Sequence, residues 1–340
     1  MKVLITGGLG YIGSHVSAVL VGQGHSVVLL DDFSNSTDKN LTSLMELTGP
    51  SLLFYEINLC NKTALEDIFH KHPDLDGVIH FAAHKSVQES VELPLKYYHN
   101  NLMGLLHLLE FILPKKTPLI FSSSCTVYGN ADQVPIHEKS PLKQAISPYG
   151  ATKQMSEQII QDCGRAHPHF RAILLRYFNP IGAHPSGKIG ESPQGIPQNL
   201  IPYLVGAVSQ THPPLEVFGD DYPTPDGTCI RDYIHIMDLA TAHVHALQHL
   251  HSKQQEEAVE VYNVGTGKGH SVLDIIQTFE KVTDQKVTYT IGSRRPGDVV
   301  QAYAEVRKIE TKLGWKATHS LEEALQSAWK WKQKTETHKP

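Results

Sequence analysis

A glycine-rich turn follows the first apolar run without an intervening residue. Val3-Leu4-Ile5 leads into Thr6-Gly7-Gly8-Leu9-Gly10-Tyr11-Ile12-Gly13, and a helical pattern comes next. Glycine at 7, 10 and 13 permits a tight turn, close approach of the backbone to a pyrophosphate and close helix–strand contact, while the helix N-terminus faces the anion. A strand, turn and helix in this order open a βαβ unit, and such units build parallel sheets covered on both faces. Five further apolar runs alternate with helical patterns: Val27–Leu30, Leu52–Tyr55, Val78–Phe81, Leu119–Phe121 and Ala172–Leu175. Six strands of this kind suit an α/β fold with a Rossmann-type doubly wound parallel sheet.

After Tyr177 the rhythm breaks. Residues 179–230 carry many of the prolines and glycines, which reads as long loops around a ligand. Helical patterns return at Ile236–Leu250, Ser271–Val282 and Ser320–Lys332, the last two opened by serine N-caps, with a further strand at Val259–Asn263 and a polar tail from Lys334 expected to fray. The expected division is a cofactor domain over 1–178 and a smaller C-terminal α/β substrate-binding domain over 179–335, with segments such as 230–250 able to return to the first. A chain of 340 residues accommodates both.

Composition narrows the partners. The formal charge of −5 leaves no basic surplus for a run of phosphates, so neither nucleic acid nor an anionic membrane is expected as a partner. Cys60, Cys125, Cys163 and Cys229 are widely spaced and form no CxxC pair, so neither a disulfide framework nor a metal site is expected, and the reading is cytoplasmic. The 21 histidines are the one oddity; protonated near their ordinary pKa of about 6.5 they would make the chain strongly positive.

Asp31 ends the second apolar run, close to the roughly 20-residue spacing past the glycines expected of the carboxylate that holds the adenosine ribose hydroxyls. Asp32 follows, and Lys39 is the only cation in the stretch up to Asn40. Two carboxylates would repel a 2′-phosphate, so NAD is favoured over NADP. Tyr149 and Lys153 stand four apart in a helical run behind Pro148, so phenol and ammonium share one face. A neighbouring ammonium and the positive nicotinamide ring of NAD⁺ favour phenolate and are expected to lower the tyrosine toward working pH. By itself Tyr-x-x-x-Lys is commonly a surface pair. Here Ser122-Ser123-Ser124 ends the fifth strand, at the edge where open α/β sheets bind ligands.

Taken with Thr6–Gly13, the stretches Ser122–Gly129 (SSSCTVYG), Arg176–Gly187 (RYFNPIGAHPSG), Arg231-Asp232-Tyr233-Ile234-His235 and Arg295-Pro296-Gly297-Asp298 resemble the UDP-glucose 4-epimerase (UDP-galactose 4-epimerase) family of extended short-chain dehydrogenases/reductases over nearly the whole chain. The resemblance implies redox-neutral inversion at C4 of a UDP-hexose through a 4-keto sugar. Tyr149 takes the 4-hydroxyl proton, Ser124 aids, Lys153 supports, and hydride moves to NAD⁺ and back to the other sugar face. It further implies NAD contacts from Gly7, Gly10, Tyr11, Ile12, Gly13, Asp31, Asn35, Ser36, Asn58, Leu59, Phe81, Ala82, Lys85, Asn100, Ser122, Tyr149, Lys153 and Tyr177. Substrate contacts carried over are Lys85, Ser124, Tyr149, Phe178, Asn179, Asn199, Leu200 and Phe218, with Arg231 and Arg295 on the diphosphate, Asp298 on the uridine ribose, and Ala302. A homodimer is implied as well.

Two positions depart from that family's pattern. Asn58 stands where an Asp usually faces the adenine amino group, and Ala302 where some members carry a tyrosine beside the sugar's 2-position, which leaves room for an N-acetyl group. A nucleotide-sugar 4,6-dehydratase or decarboxylase is the nearest alternative, but dehydration needs two carboxylates after the serine position, and Cys125 and Thr126 stand there. A non-catalytic NAD-sensing protein would not need Ser124, Tyr149 and Lys153 together. His243, His245, His249 and His251 share a predicted helix and read as packed or solvated side chains; Cys125 reads as structural.

Overall fold

The computed structural model describes residues 1–49, 52–252, 254–295 and 297–337; Pro296 of the quoted motif lies outside them. Strands β1 (Lys2–Thr6), β2 (Ser26–Asp31), β3 (Leu52–Glu56), β4 (Gly77–His80), β5 (Leu119–Ser124) and β6 (Ala172–Tyr177) arise from the six apolar runs. Between them run helices α1 (Tyr11–Gly22), α2 (Asp38–Thr48), α3 (Lys62–Lys71), α4 (Val87–Glu92), α5 (Pro94–Lys115) and α6 (Pro148–Ala166). The sheet's faces follow the two-residue period of a strand. Val3, Ile5, Val27 and Leu29 face one layer, built with residues of α1 and of a later helix. Leu4, Val28, Leu30 and Val78 face the other, with side chains of α3, α5 and α6.

The second half is more ordered than long loops. It contains β7 (Asn179–Ile181), α7 (Leu200–Val208), β8 (Leu215–Phe218), β9 (Ile230–Arg231), β10 (Tyr233–His235), α8 (Ile236–Ser252), β11 (Val259–Val264), β12 (His270–Ser271), α9 (Val272–Thr283), β13 (Tyr289–Gly292), β14 (Gln301–Ala302), α10 (Arg307–Leu313) and α11 (Leu321–Thr337). The prolines and glycines bound these short elements without excluding them; Pro202 sits in the first turn of α7, where a missing N–H costs nothing. Ser271 and Ser320 do cap their helices, accepting from the backbone amides of Asp274 and Glu323. Glu323 reciprocates on the Ser320 amide, which completes a capping box. α11 continues to Thr337, so the tail expected to fray from Lys334 is helical that far.

The main sheet has seven strands in the order β11-β6-β5-β4-β1-β2-β3, all parallel. Its seventh strand therefore comes from beyond residue 178, and α8 packs on α1. A sequential cut at 178 cannot contain this sheet, because β11 buries Tyr262 and Val264 completely against β6 and its surroundings. A separate apolar cluster joins α7, β8, α9 and α11. The chain moves outward from β1 through β2 to β3, then returns to the other side of β1 as β4. The topological switch point, where doubly wound sheets open a cleft, thus lies at the carboxyl ends of β1 and β4. Among the described residues, no helix is long and apolar enough to cross a membrane.

Candidate active site

A cleft opens at that switch point. Its floor is the glycine turn. Gly7 has φ +66°, and a Cβ there would lie 2.7 Å from the Ala82 amide; one on Gly13 would lie 2.4 Å from the Gly7 carbonyl. These two positions let α1 start directly against β1 and β4. α1 begins at Gly10 without a side-chain cap, so its first-turn amides and positive dipole end face the cleft. That is a receptor for a diphosphate.

Asp31 stands at the end of β2 on the cleft wall. Its carboxylate accepts from the Leu9 amide at 3.0 Å, the Phe33 amide at 3.1 Å and the Ser36 hydroxyl at 2.8 Å. Burial raises its pKa, against those hydrogen bonds. With about four lone-pair positions per carboxylate, acceptor capacity remains for ribose hydroxyls. Asn58 is turned by its neighbours: its amide donates to Asp32 at 2.7 Å, and its carbonyl accepts from the Cys60 amide at 2.8 Å. The same cleft is lined by Gly7, Gly10, Tyr11, Ile12, Gly13, Asn35, Ser36, Leu59, Phe81, Ala82, Lys85, Asn100, Ser122, Tyr149, Lys153 and Tyr177. Every cofactor-contact candidate of the sequence is thereby brought to one cavity. Sequence reasoning missed Gly190–Pro193, which closes the opposite wall. Glu191 there accepts from Lys85 and from Asn199, both at 3.3 Å. Only the general reading of 179–230 as ligand-surrounding chain pointed to this segment.

The reactive groups converge from two elements. Ser147 caps α6 by accepting from the Gly150 amide, with Pro148 at its first position, and this fixes the rise of Tyr149 and Lys153 beside β5. The Ser124 hydroxyl accepts from the Thr126 amide and stands near the Tyr149 phenol, where it favours the ionised form. Lys153 donates to the Ser122 carbonyl at 2.6 Å, and its ammonium lies 6.0 Å from the centre of the Tyr149 ring. The expected lowering of the tyrosine pKa is not what the protein alone produces. Burial pushes Tyr149 up to about 12 despite Ser124, while burial draws Lys153 down to about 8 despite Glu157. The ammonium is held on a carbonyl, and burial of the phenol outweighs the influences that favour its ionisation.

The substrate candidates occupy a neighbouring region. Arg295 makes a two-point contact with Asp298 at 2.8 and 3.1 Å and lies 5.4 Å over the Phe218 ring, while Arg231 reaches Asp298 at 3.6 Å. Arg231 also donates to the carbonyls of Ile230 and Val299. Two guanidinium groups thus converge on one carboxylate. Asn179 begins β7, and Asn199 and Leu200 open α7 with no side chain of their own as cap. Phe178 and Ala302 are buried together in a small apolar cluster with Val127, Tyr128, Ile136 and Ala304.

Part of the histidine surplus is internal: His15, His72, His80, His235, His243 and His249 are buried, while others such as His137, His167 and His251 are exposed. His243 lies 4.9 Å from the Phe81 ring and 5.7 Å from the Tyr177 ring, His245 reaches the Leu313 carbonyl, and His249 pairs with Glu260 at 3.0 Å. Among the described residues, no group of three or more His, Cys, Asp or Glu is placed to hold a metal ion. Burial pushes the Cys125 thiol up to about 11, away from nucleophilic use.

A switch-point cleft with a glycine turn, together with a strand-end serine and a Tyr–Lys pair on the adjoining helix, defines a dinucleotide-dependent enzyme of the short-chain dehydrogenase/reductase class. Comparison with known proteins narrows this. A family model described as GDP-mannose 4,6 dehydratase matches residues 4–328. The UDP-glucose 4-epimerase of Bacillus subtilis (strain 168) is 47% identical over 334 residues, covering 97% of this chain and 96% of that one. The UDP-glucose 4-epimerase of Bifidobacterium longum, solved in complex with NAD+ and UDP, is 42% identical with a TM-score of 0.94, each chain 99% covered. A UDP-Glc/GlcNAc 4-epimerase of Campylobacter jejuni is 35% identical with a TM-score of 0.84, covering 98% of this chain and 99% of that one. The chain belongs to the sequence family of that model and, within it, to the UDP-glucose 4-epimerases.

Proposed function

We propose that the protein inverts the configuration at C4 of UDP-hexoses, interconverting UDP-glucose and UDP-galactose through a transient 4-keto sugar, with NAD as a retained cofactor. The observation that carries this is the company Tyr149 keeps: the Ser124 hydroxyl beside its phenol, Lys153 one turn on, and Cys125 and Thr126 where an eliminating relative would need carboxylates. Redox chemistry at a carbinol is provided for, and elimination is not.

The cleft fits the cofactor on its own features: uncapped amides of α1 for the diphosphate, Asp31 with spare acceptor capacity for the ribose, and no Arg among Asp31–Asn40 to receive a 2′-phosphate. Bound there, NAD⁺ supplies the hydride acceptor and a positive ring that favours the phenolate. Tyr149 accepts the proton of the 4-hydroxyl and later gives it back. Ser124, near the phenol, offers its hydroxyl to the same sugar oxygen. Lys153, anchored on the Ser122 carbonyl, brings positive charge to the site where the phenol ionises. Arg231 and Arg295, paired by Asp298, meet the diphosphate with two planar donors, so the nucleotide is gripped while the sugar remains free to turn.

UDP-N-acetylglucosamine and UDP-N-acetylgalactosamine fall within the same reading. A methyl side chain at Ala302 beside Phe178 supports it, since a larger group there would fill space near the sugar. A homodimer is supported by exposed apolar side chains on adjoining helices: Val91 at 62% and Leu95 at 80% exposure on α4 and α5, and Met155 on α6. Four unpaired cysteines support a reducing, cytoplasmic setting.

The direct test incubates the purified protein with UDP-glucose, UDP-galactose and their N-acetylated counterparts without added NAD, and follows the 4-epimer. Conversion is expected. Absence of conversion with NAD both omitted and supplied overturns the reading. Tyr149→Phe should retain cofactor while turnover drops by about 10²–10⁴-fold.

A further inference from the structure

Three consecutive serines at the end of β5 are tied to three residues spaced four apart on α6. Ser124 meets Tyr149, the Ser122 carbonyl meets Lys153, and the Ser123 hydroxyl donates to Glu157 at 2.5 Å. The third tie has no part in the chemistry proposed above. Yet Glu157 is only 1% exposed and carries a two-point ion pair with Arg176, which donates from Nε at 2.9 Å and from Nη2 at 2.5 Å. Arg176 is 3% exposed, lies opposite Ser123 in the β5–β6 register, and also donates to the Tyr128 hydroxyl at 3.0 Å.

Burying an ion pair of this kind is a poor route to stability, because two desolvated charges recover little more than a packed apolar pair would. Its placement suggests another use. Glu157 is one helical turn beyond Lys153 on the same buried face. Around the Lys153 ammonium stand the Phe121 ring at 4.8 Å and the Ser122 carbonyl on β5, His80 on β4, Tyr177 on β6 through its hydroxyl contact with Ser122, and Tyr149 and Glu157 on α6. Of these, Glu157 is the carboxylate. Arg176 and Ser123 hold it in place by three hydrogen bonds.

We propose that Glu157 is a positioning residue for the reaction: clamped by Arg176 and Ser123, it keeps the Lys153 ammonium charged and seated on the Ser122 carbonyl, in line with Tyr149. This rests on the epimerase reading of the site. The direction agrees with the electrostatics, since burial lowers the Lys153 pKa and Glu157 opposes the fall.

The test is Glu157→Gln, which preserves shape and removes charge. Wild-type turnover measured alongside separates failure of the epimerase reading, in which the wild type is itself inactive, from failure of this one. With cofactor content and the circular-dichroism melt confirming a folded holoprotein, the alkaline limb of kcat should move down by about one pH unit. KM for the UDP-sugar should stay within about twofold. The pH at which Lys153 reacts with an amine-labelling reagent, read by peptide mass spectrometry, should fall by the same interval. Glu157→Asp, which keeps the charge and withdraws it by one methylene, should restore most of the wild-type profile. Should Glu157→Gln not fold, Glu157→Asp carries the test alone, with a smaller shift of the same sign in both readouts. A folded Gln variant whose alkaline limb and Lys153 labelling profile both match wild type overturns the proposal and leaves the ion pair a structural one; where Gln does not fold, an Asp variant with no shift in either readout does the same.

Discussion

The Lys153 ammonium donates to the Ser122 carbonyl at 2.6 Å, and through this bond helix α6 is stitched to the end of strand β5 beside the cleft. The bond has a functional and a structural side. Replacing Lys153 by Met keeps the length of the side chain but removes both its charge and its hydrogen bond. Turnover is expected to fall by about 10²–10³-fold. A buried carbonyl left unpaired costs roughly 1–3 kcal/mol, so the melting temperature should drop as well. Steady-state kinetics and a thermal melt on the same preparation check both; a variant with near wild-type kcat would contradict the role assigned to Lys153.

Asp31 holds three donors and faces the cleft, so its replacement separates local architecture from cofactor grip. Asp31→Asn keeps one carbonyl acceptor and loses the charge. NAD retained after purification should decrease, with Kd weakened by roughly tenfold, or ~1.4 kcal/mol. Discrimination against NADP should relax in the same variant, because one of the two charges that repel a 2′-phosphate is gone. Cofactor content by absorbance, and competition between NAD and NADP, give the answer; unchanged discrimination would assign that role to Asp32.

The sequence shows why some of this was readable and some was not. Strands β1 to β6 are continuous apolar runs because both faces of a parallel sheet are covered, and such runs stand out against their flanks. The glycine turn and Asp31 were legible because backbone approach and ribose recognition demand particular residue types at particular spacings. β11 was seen as a strand but not as the seventh of this sheet, since pairing with β6 across more than eighty intervening residues leaves no local mark. Short strands such as β9 and β14, two residues each, fall below any periodicity. Glu191 and Glu157 were missed for another reason. One lies in an irregular segment, and the other reads as an ordinary helix carboxylate until Arg176 and Ser123 are seen around it. The lowered tyrosine pKa, expected from the ammonium and the nicotinamide ring, left out the desolvation that raises it in the protein alone, which spacing cannot express.

Ala302 shares a small apolar cluster with Phe178 and is 9% exposed. Enlarging it should discriminate among substrates by volume. Ala302→Tyr is expected to lower kcat/KM for UDP-N-acetylglucosamine by about tenfold or more while UDP-glucose is affected far less, in keeping with the 1–3 kcal/mol that a misfit in a pocket carries. Some loss of stability should accompany it, since overpacking a small apolar cluster costs typically 1–3 kcal/mol. Competition kinetics with both substrates read the ratio directly. An equal loss for both sugars would mean that Ala302 supports the fold and not the choice of substrate.

The buried histidines set the acid stability of the fold. His15 and His80 are held near a pKa of about 3, and His235 and His243 near about 4, in each case chiefly by burial. All four therefore sit below the unfolded value of about 6.5. Between roughly pH 6.5 and 4 the unfolded chain binds protons that the native chain refuses, so stability is complete above 6.5 and is lost as pH falls through this window. Each such group contributes a slope of at most about 1.4 kcal/mol per pH unit. Denaturant unfolding from pH 7 to 4.5 should show a steep decline, rather than the simple gain of positive charge that composition alone suggests. His243→Gln removes one titrating group from the set and should flatten the slope by about that amount. His80→Gln should do the same while also breaking the 2.7 Å bond to Thr6, lowering stability at pH 7. A slope unchanged in both variants would place the acid sensitivity in other groups.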